Sequence, residues 1–90
     1  VRRLDRLRTV MREMALVKLS TSDPMAREEA LRHVNNYHGL ILNIDPDSLI
    51  AEVTGEPEVI DRFVDEVKPI GIIEFSRTGV TALEKGLIKL

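Results

Sequence analysis

Apolar residues run almost without a break from Met14 to Leu19, interrupted only by Lys18, which predicts a central strand. Ser20 to Asp23 turn the chain. Asp23-Pro24 then starts a helix, because the carboxylate caps free backbone N–H groups and proline fits the first helical position. Ala26, Ala30, Leu31, Val34 and Tyr37 mark its apolar face, and Gly39 is expected to end it in a left-handed conformation. A strand over Leu40 to Ile44, a tight turn at Asp45-Pro46-Asp47-Ser48 and an alternating strand from Leu49 to Thr54 read as a hairpin, broken at Gly55. Pro57 opens a second helix with the stripe Val59, Ile60, Phe63, Val64 and Val67, stopped by Lys68-Pro69. Ile72, Ile73 and Phe75 form a closing strand, ended by Ser76-Arg77-Thr78-Gly79.

The ends follow other patterns. Leu4, Leu7, Val10 and Met11 recur at helical spacing among arginines, predicting a short amphipathic helix or the last turns of a preceding domain. The apolar tail over residues 80–90 is expected to dock on this domain or on a partner.

Strand, helix, strand, strand, helix, strand is the order of an α+β, ferredoxin-like fold: a four-stranded antiparallel sheet with two helices on one face. The expected division is an N-terminal segment 1–11, a ferredoxin-like domain 12–79 and a tail 80–90. With the spatial strand order fourth, first, third, second, the helices are expected to cover Ala15, Val17, Leu19, Leu40, Leu42, Ile44, Leu49, Ala51, Val53, Ile73 and Phe75. The bare face is then expected to carry Met14, Leu16, Lys18, Ile41, Asn43, Ile50, Glu52, Thr54, Ile72, Glu74 and Ser76. On it Lys18 is bracketed by Glu52 and Glu74, an ion network or an interface that sets the register of sheet-to-sheet association.

Composition narrows the chemistry. At 90 residues the chain supports one thin core. Net charge −2 gives no field for a polyanion, and the few aromatics, Tyr37, Phe63 and Phe75, fall off the bare face, so nucleic acid is not an expected partner. No apolar run reaches membrane-spanning length, and no membrane partner is expected. Without cysteine there is no thiolate ligand, and His33 with His38 at i,i+5 does not put two ligands on one helix face, so no metal is expected. No catalytic motif is present, and Arg77 with Lys85 near Gly79 makes only a weak anion site. The expected setting is cytoplasmic, with a plastid left open.

Three blocks taken together carry a resemblance. Arg12-Glu13-Met14-Ala15-Leu16-Val17-Lys18-Leu19, then Glu52-Val53-Thr54-Gly55, then Pro69-Ile70-Gly71-Ile72-Ile73-Glu74 running into Arg77-Thr78-Gly79 and Ala82-Leu83-Glu84-Lys85-Gly86, resemble the C-terminal domain of acetolactate synthase small (regulatory) subunits. Leu4, Leu7 and Val10 resemble the L-x-x-L-x-x-V ending of the amino-acid-binding ACT domain that precedes it in that family. The resemblance implies a non-catalytic regulatory chain of the enzyme that condenses pyruvate with a second 2-oxo acid in branched-chain amino-acid synthesis. Thiamine diphosphate, FAD and magnesium then belong to a catalytic large subunit, whose activity the small subunit raises and places under feedback inhibition, usually by valine. The effector is bound between ACT domains in that family, so no effector residue carries over to this sequence and the ligand-binding residues are unknown. Lys18, Glu52, Glu74, Arg77, Thr78 and Gly79 fall on family positions, the last three as a motif turn. Two readings follow: a regulatory module that forms a homodimer and assembles with the large subunit, or a free-standing ACT-like domain that senses an amino acid.

Overall fold

The structure, a computed structural model, describes residues 8–87. The elements are β1 (Thr9–Ser20), α1 (Pro24–Asn36), β2 (Leu40–Asp45), β3 (Ser48–Gly55), α2 (Pro57–Val67), a 3-10 turn (Lys68–Ile70), β4 (Ile72–Arg77) and β5 (Thr81–Glu84). The sheet runs β2-β3-β1-β4, all antiparallel, the ferredoxin-like order expected from the sequence. Alternation in β1 and β3 sends Ala15, Val17, Leu19, Leu49, Ala51 and Val53 to one face. There they meet Ala30 and Val34 of α1 and Ile60, Phe63, Val64 and Val67 of α2.

Asp23 caps α1 as its sequence predicts, its Oδ1 accepting from Met25 N at 3.1 Å. The other end differs from expectation. His38, at φ 56°, takes the left-handed position, and Gly39 is there for space. A Cβ on Gly39 would sit 2.8 Å from the Glu52 carbonyl oxygen and about 3 Å from Val34 and Val53.

Two bulges reassign side chains that strict alternation placed elsewhere. In β2 the register slips between Ile41 and Asn43, so Leu40 lies beside Glu52 on the bare face and Ile41 beside Ala51 on the helix face. This exchanges the expected places of Leu40 and Ile41. In β4 the slip falls between partners of Lys18 and Leu19, so Ile72 lies opposite buried Leu19 and packs on the core. Ile72 therefore leaves the bare-face group, and the bulged Ile73, 56% exposed, is not covered by a helix. Phe75 keeps its expected helix-side parity opposite Val17, but it stands on an outer strand and stays half-exposed.

The ends form a ribbon. Val10 and Met11 belong to β1 and not to a helix; Leu4 and Leu7 lie outside the described residues. Within the tail, β5 pairs with Thr9–Arg12. Ala15 faces Arg77 and Arg12 faces Thr81, so β4 and β5 together follow β1 with one extra residue between them. The slack is taken up at Gly79, φ 86°, where a side chain would suffer backbone strain. This ribbon accounts for the elongated shape, 49 × 21 × 20 Å.

Candidate functional site

The sheet face opposite the helices is bare among the described residues. Met14, Leu16 and Lys18 project from β1, Ile50 and Glu52 from β3, and Glu74 and Ser76 from β4. Leu16, Lys18, Ile50, Glu74 and Ser76 line a shallow groove of about 250 Å³ on this face. The register sets Lys18 directly opposite Glu74, and their side chains meet at 2.9 Å. Glu52 stands opposite Leu16 and Leu40, so the expected bracket around Lys18 closes on the Glu74 side only. With Glu74 72% exposed, water screens this pair, and it contributes at most about 1 kcal/mol to stability. Its chemical effect is orientation: it holds a cation beside Leu16 and Ile50 in a fixed place.

Arg77 and Thr78 do different work. Arg77 ends β4 on the helix side, where its Nε donates to Glu13 Oε1 at 2.7 Å and its Nη1 to Asp61 Oδ1 at 2.6 Å. Nη2 also reaches Glu13, which is 7% exposed, and Pro57 O lies at 3.4 Å. The hydrogen bonds that Arg77 donates to Asp61 and then to Glu13 hold the guanidinium's pKa above its ordinary value. A guanidinium committed in this way is not a free anion receptor, so the anion reading of Arg77 fails. Thr78 N donates to Met14 O at 3.0 Å, while Thr78 Oγ1 accepts from Met14 N at 3.1 Å. The hydroxyl stands where a ladder carbonyl would be, which lets the chain bulge without orphaning a donor.

A second cluster joins the helices. Tyr37 OH donates to Glu66 Oε2 at 2.8 Å, His33 Nδ1 lies 3.4 Å from Glu66 Oε1, and the Tyr37 ring meets Phe63 edge-on at 5.3 Å. Burial first, then the bond to Glu66, pushes the Tyr37 phenol pKa up. The His33 side chain is 20% exposed.

Sequence reasoning missed both clusters, although signals for them existed. Glu13 shares the inward parity of Ala15, Val17 and Leu19, and a carboxylate there needs a cation. A tyrosine on an apolar helix face needs a partner for its hydroxyl. Among the described residues, no group of three or more His, Asp or Glu side chains is placed to hold a metal ion, and no helix is long and apolar enough to cross a membrane.

These features define a ferredoxin-like domain with a bare sheet face and an apolar ribbon. Residues 12–86 match the family model described as "Small subunit of acetolactate synthase", and the chain belongs to that family. It is 40% identical over 86 residues to the probable acetolactate synthase small subunit of Methanothermobacter thermautotrophicus, covering 96% of this chain and 51% of that protein. It is 38% identical over 76 residues to the acetolactate synthase small subunit of Aquifex aeolicus, covering 84% of this chain and 40% of that one. The crystal structure of the acetolactate synthase small subunit from Thermotoga maritima superposes with a TM-score of 0.84 at 26% identity, over 92% of this chain and 50% of that one. The chain thus spans about half the length of the relatives it matches.

Proposed function

We propose that this chain is a non-catalytic regulatory part of acetolactate synthase. In this reading it assembles with a separate catalytic large subunit, raises its activity and takes part in feedback control of branched-chain amino-acid synthesis in the cytoplasm. Thiamine diphosphate, FAD and magnesium reside in that partner. Residues 12–79 form the regulatory sandwich, residues 1–11 lead in from an ACT domain, and the chain works as a homodimer.

The observation that carries the reading is the family match over residues 12–86, which takes in the sandwich and the β5 side of the ribbon. The exposed features support it. The bare face sets Lys18 and Glu74 beside Leu16 and Ile50, the mixture of fixed charge and apolar surface that a protein partner covers. On the ribbon, Val10, Val80 and Leu83 are 44, 50 and 72% exposed, a second apolar strip continuous with the sandwich.

Co-sedimentation tests assembly. Mixed with the catalytic subunit of acetolactate synthase, the chain is expected to move into a faster boundary, and Leu16→Asp with Ile50→Asp should weaken that shift at least tenfold. Separate boundaries at every ratio would count against the proposal.

A further inference from the structure

Arg27 of α1 is held like Arg77 but without carboxylates. Its Nη2 donates to the Asp45 carbonyl at 2.7 Å and to the Pro46 carbonyl at 3.0 Å, which ties α1 to the β2–β3 turn. Both acceptors are neutral, and among the described residues no carboxylate lies within ion-pair distance of this guanidinium. Its Nε is buried without a hydrogen-bond partner. A second side chain nearby is in the same state: Thr21, 2% exposed, has a buried Oγ1 with no partner among the described residues. Buried donors in folded proteins are normally paired, so two orphans in one place call for an acceptor.

Arg27 and Thr21 line one cleft of about 450 Å³ between the start of α1 and the β2–β3 turn. Pro24, Leu31 and Pro46 give it apolar walls, and the exposed Glu28 completes the lining. Its volume lies in the lower part of the range of small-molecule sites, about 300 to 1,000 Å³. The N-terminus of α1 is not what makes the site, because Asp23 already caps Met25 N there.

We propose that this cleft binds a small monocarboxylate with a short aliphatic body. One carboxylate oxygen accepts from Arg27 Nε and the other from Thr21 Oγ1, so both orphan donors are satisfied and the guanidinium gains the counter-charge that Arg77 already has. The aliphatic body lies on Pro24, Leu31 and Pro46. Charge selects among oxyanions. One guanidinium balances one negative charge, while Glu28 in the lining and Asp47 in the adjoining turn oppose a second, which disfavours a doubly charged phosphate. A free acid and the C-terminal carboxylate of a polypeptide offer the same chemistry, and the test separates them. The site goes beyond the regulatory reading and does not depend on it.

The whole chain, labelled with nitrogen-15 and titrated with sodium butyrate, tests this by NMR. The Arg27 Nε–H signal and the Thr21, Ser22 and Leu31 amide signals are expected to move together and to saturate with a Kd of about 1 mM. Butan-1-ol, which has the same body without the charge, should bind at least tenfold more weakly, and so should inorganic phosphate. Arg27→Gln is expected to weaken butyrate at least tenfold. That change also loosens the β2–β3 turn, so Thr21→Val, which keeps the shape of the side chain, is the second variant. It is expected to weaken butyrate roughly fivefold with an unchanged circular dichroism spectrum. Tighter binding of N-acetyl-dialanine than of butyrate assigns the natural occupant to a polypeptide C-terminus, and weaker binding assigns it to a free acid; either supports the site. Butyrate shifts that do not saturate by about 50 mM overturn the proposal. So does an affinity unchanged in both variants, or binding of phosphate or butan-1-ol as tight as that of butyrate. Acetolactate is read in none of these arms, so failure here is distinguishable from failure of the regulatory reading.

Discussion

Arg77 is the residue on which three elements converge. It holds Glu13 of β1 and Asp61 of α2 from the end of β4, and its two arms differ in weight because Glu13 is 7% exposed and Asp61 62%. Removing the cation strands a buried carboxylate, whereas the exposed arm is screened. Arg77→Ala is expected to cost about 3 kcal/mol in urea denaturation, and Asp61→Asn less than about 1 kcal/mol. Equal losses would refute the burial argument. Lysine lacks the planar fork that reaches both carboxylates, so Arg77→Lys is expected to recover only part of the loss.

Tyr37 gives a pH signature at the same scale. Its pKa is raised in the folded state, chiefly by burial and then by the bond to Glu66, so the folded chain holds that proton more tightly than the unfolded chain. The associated stability is complete below the ordinary tyrosine value of about 10 and is lost as pH rises through and beyond it. Tyr37→Phe is expected to cost about 1 kcal/mol at neutral pH and to flatten the alkaline decline. A decline of unchanged slope in the variant would show that Tyr37 is not its source.

At the scale of elements, the bulges decide which side chains meet water. Gly39 leads into β2 with the Glu52 carbonyl oxygen 2.8 Å from where a Cβ would stand, and backbone cannot yield as a flexible side chain does. Gly39→Ala is therefore expected to destabilise by roughly 1 to 3 kcal/mol, measured by thermal denaturation. Thr78→Val keeps the shape of the bulge but removes the acceptor for Met14 N. Amide exchange is expected to accelerate at Met14 and along Thr81–Glu84, while α1 and α2 keep their protection. Protection left intact along β5 would mean that the hydroxyl does not anchor the ribbon.

The same bulges mark where sequence reading stops. Periodicity identified both helices, the central strands and the core of β1 and β3, because each of those patterns is uninterrupted. It misplaced Leu40, Ile41, Ile72 and Ile73, since one extra residue in a strand inverts every later side chain and leaves no mark in composition. Lys18 with Glu74 was legible because both lie on the unbulged side of their register. Glu13 with Arg77 was not, since their meeting depends on the register that sets Arg77 opposite Ala15, past the bulge in β4, and the Asp61 arm depends on where α2 lies against the sheet. Val10 and Met11 carry a spacing that suits helix or strand, and only the pairing with Ala82 and Leu83 decides between them.

For the whole molecule, the arrangement separates three surfaces: the bare face with Lys18 and Glu74, the ribbon of β1 and β5, and the β2 edge. The first two adjoin along β1, and the third lies across the sheet. The most direct measurement is acetolactate formation by the catalytic subunit of acetolactate synthase titrated with this chain. The rate is expected to rise severalfold and saturate at a fixed stoichiometry, with the chain alone forming none. A rate that stays flat through saturating chain, or acetolactate formed by the chain alone, would contradict a regulatory, non-catalytic role.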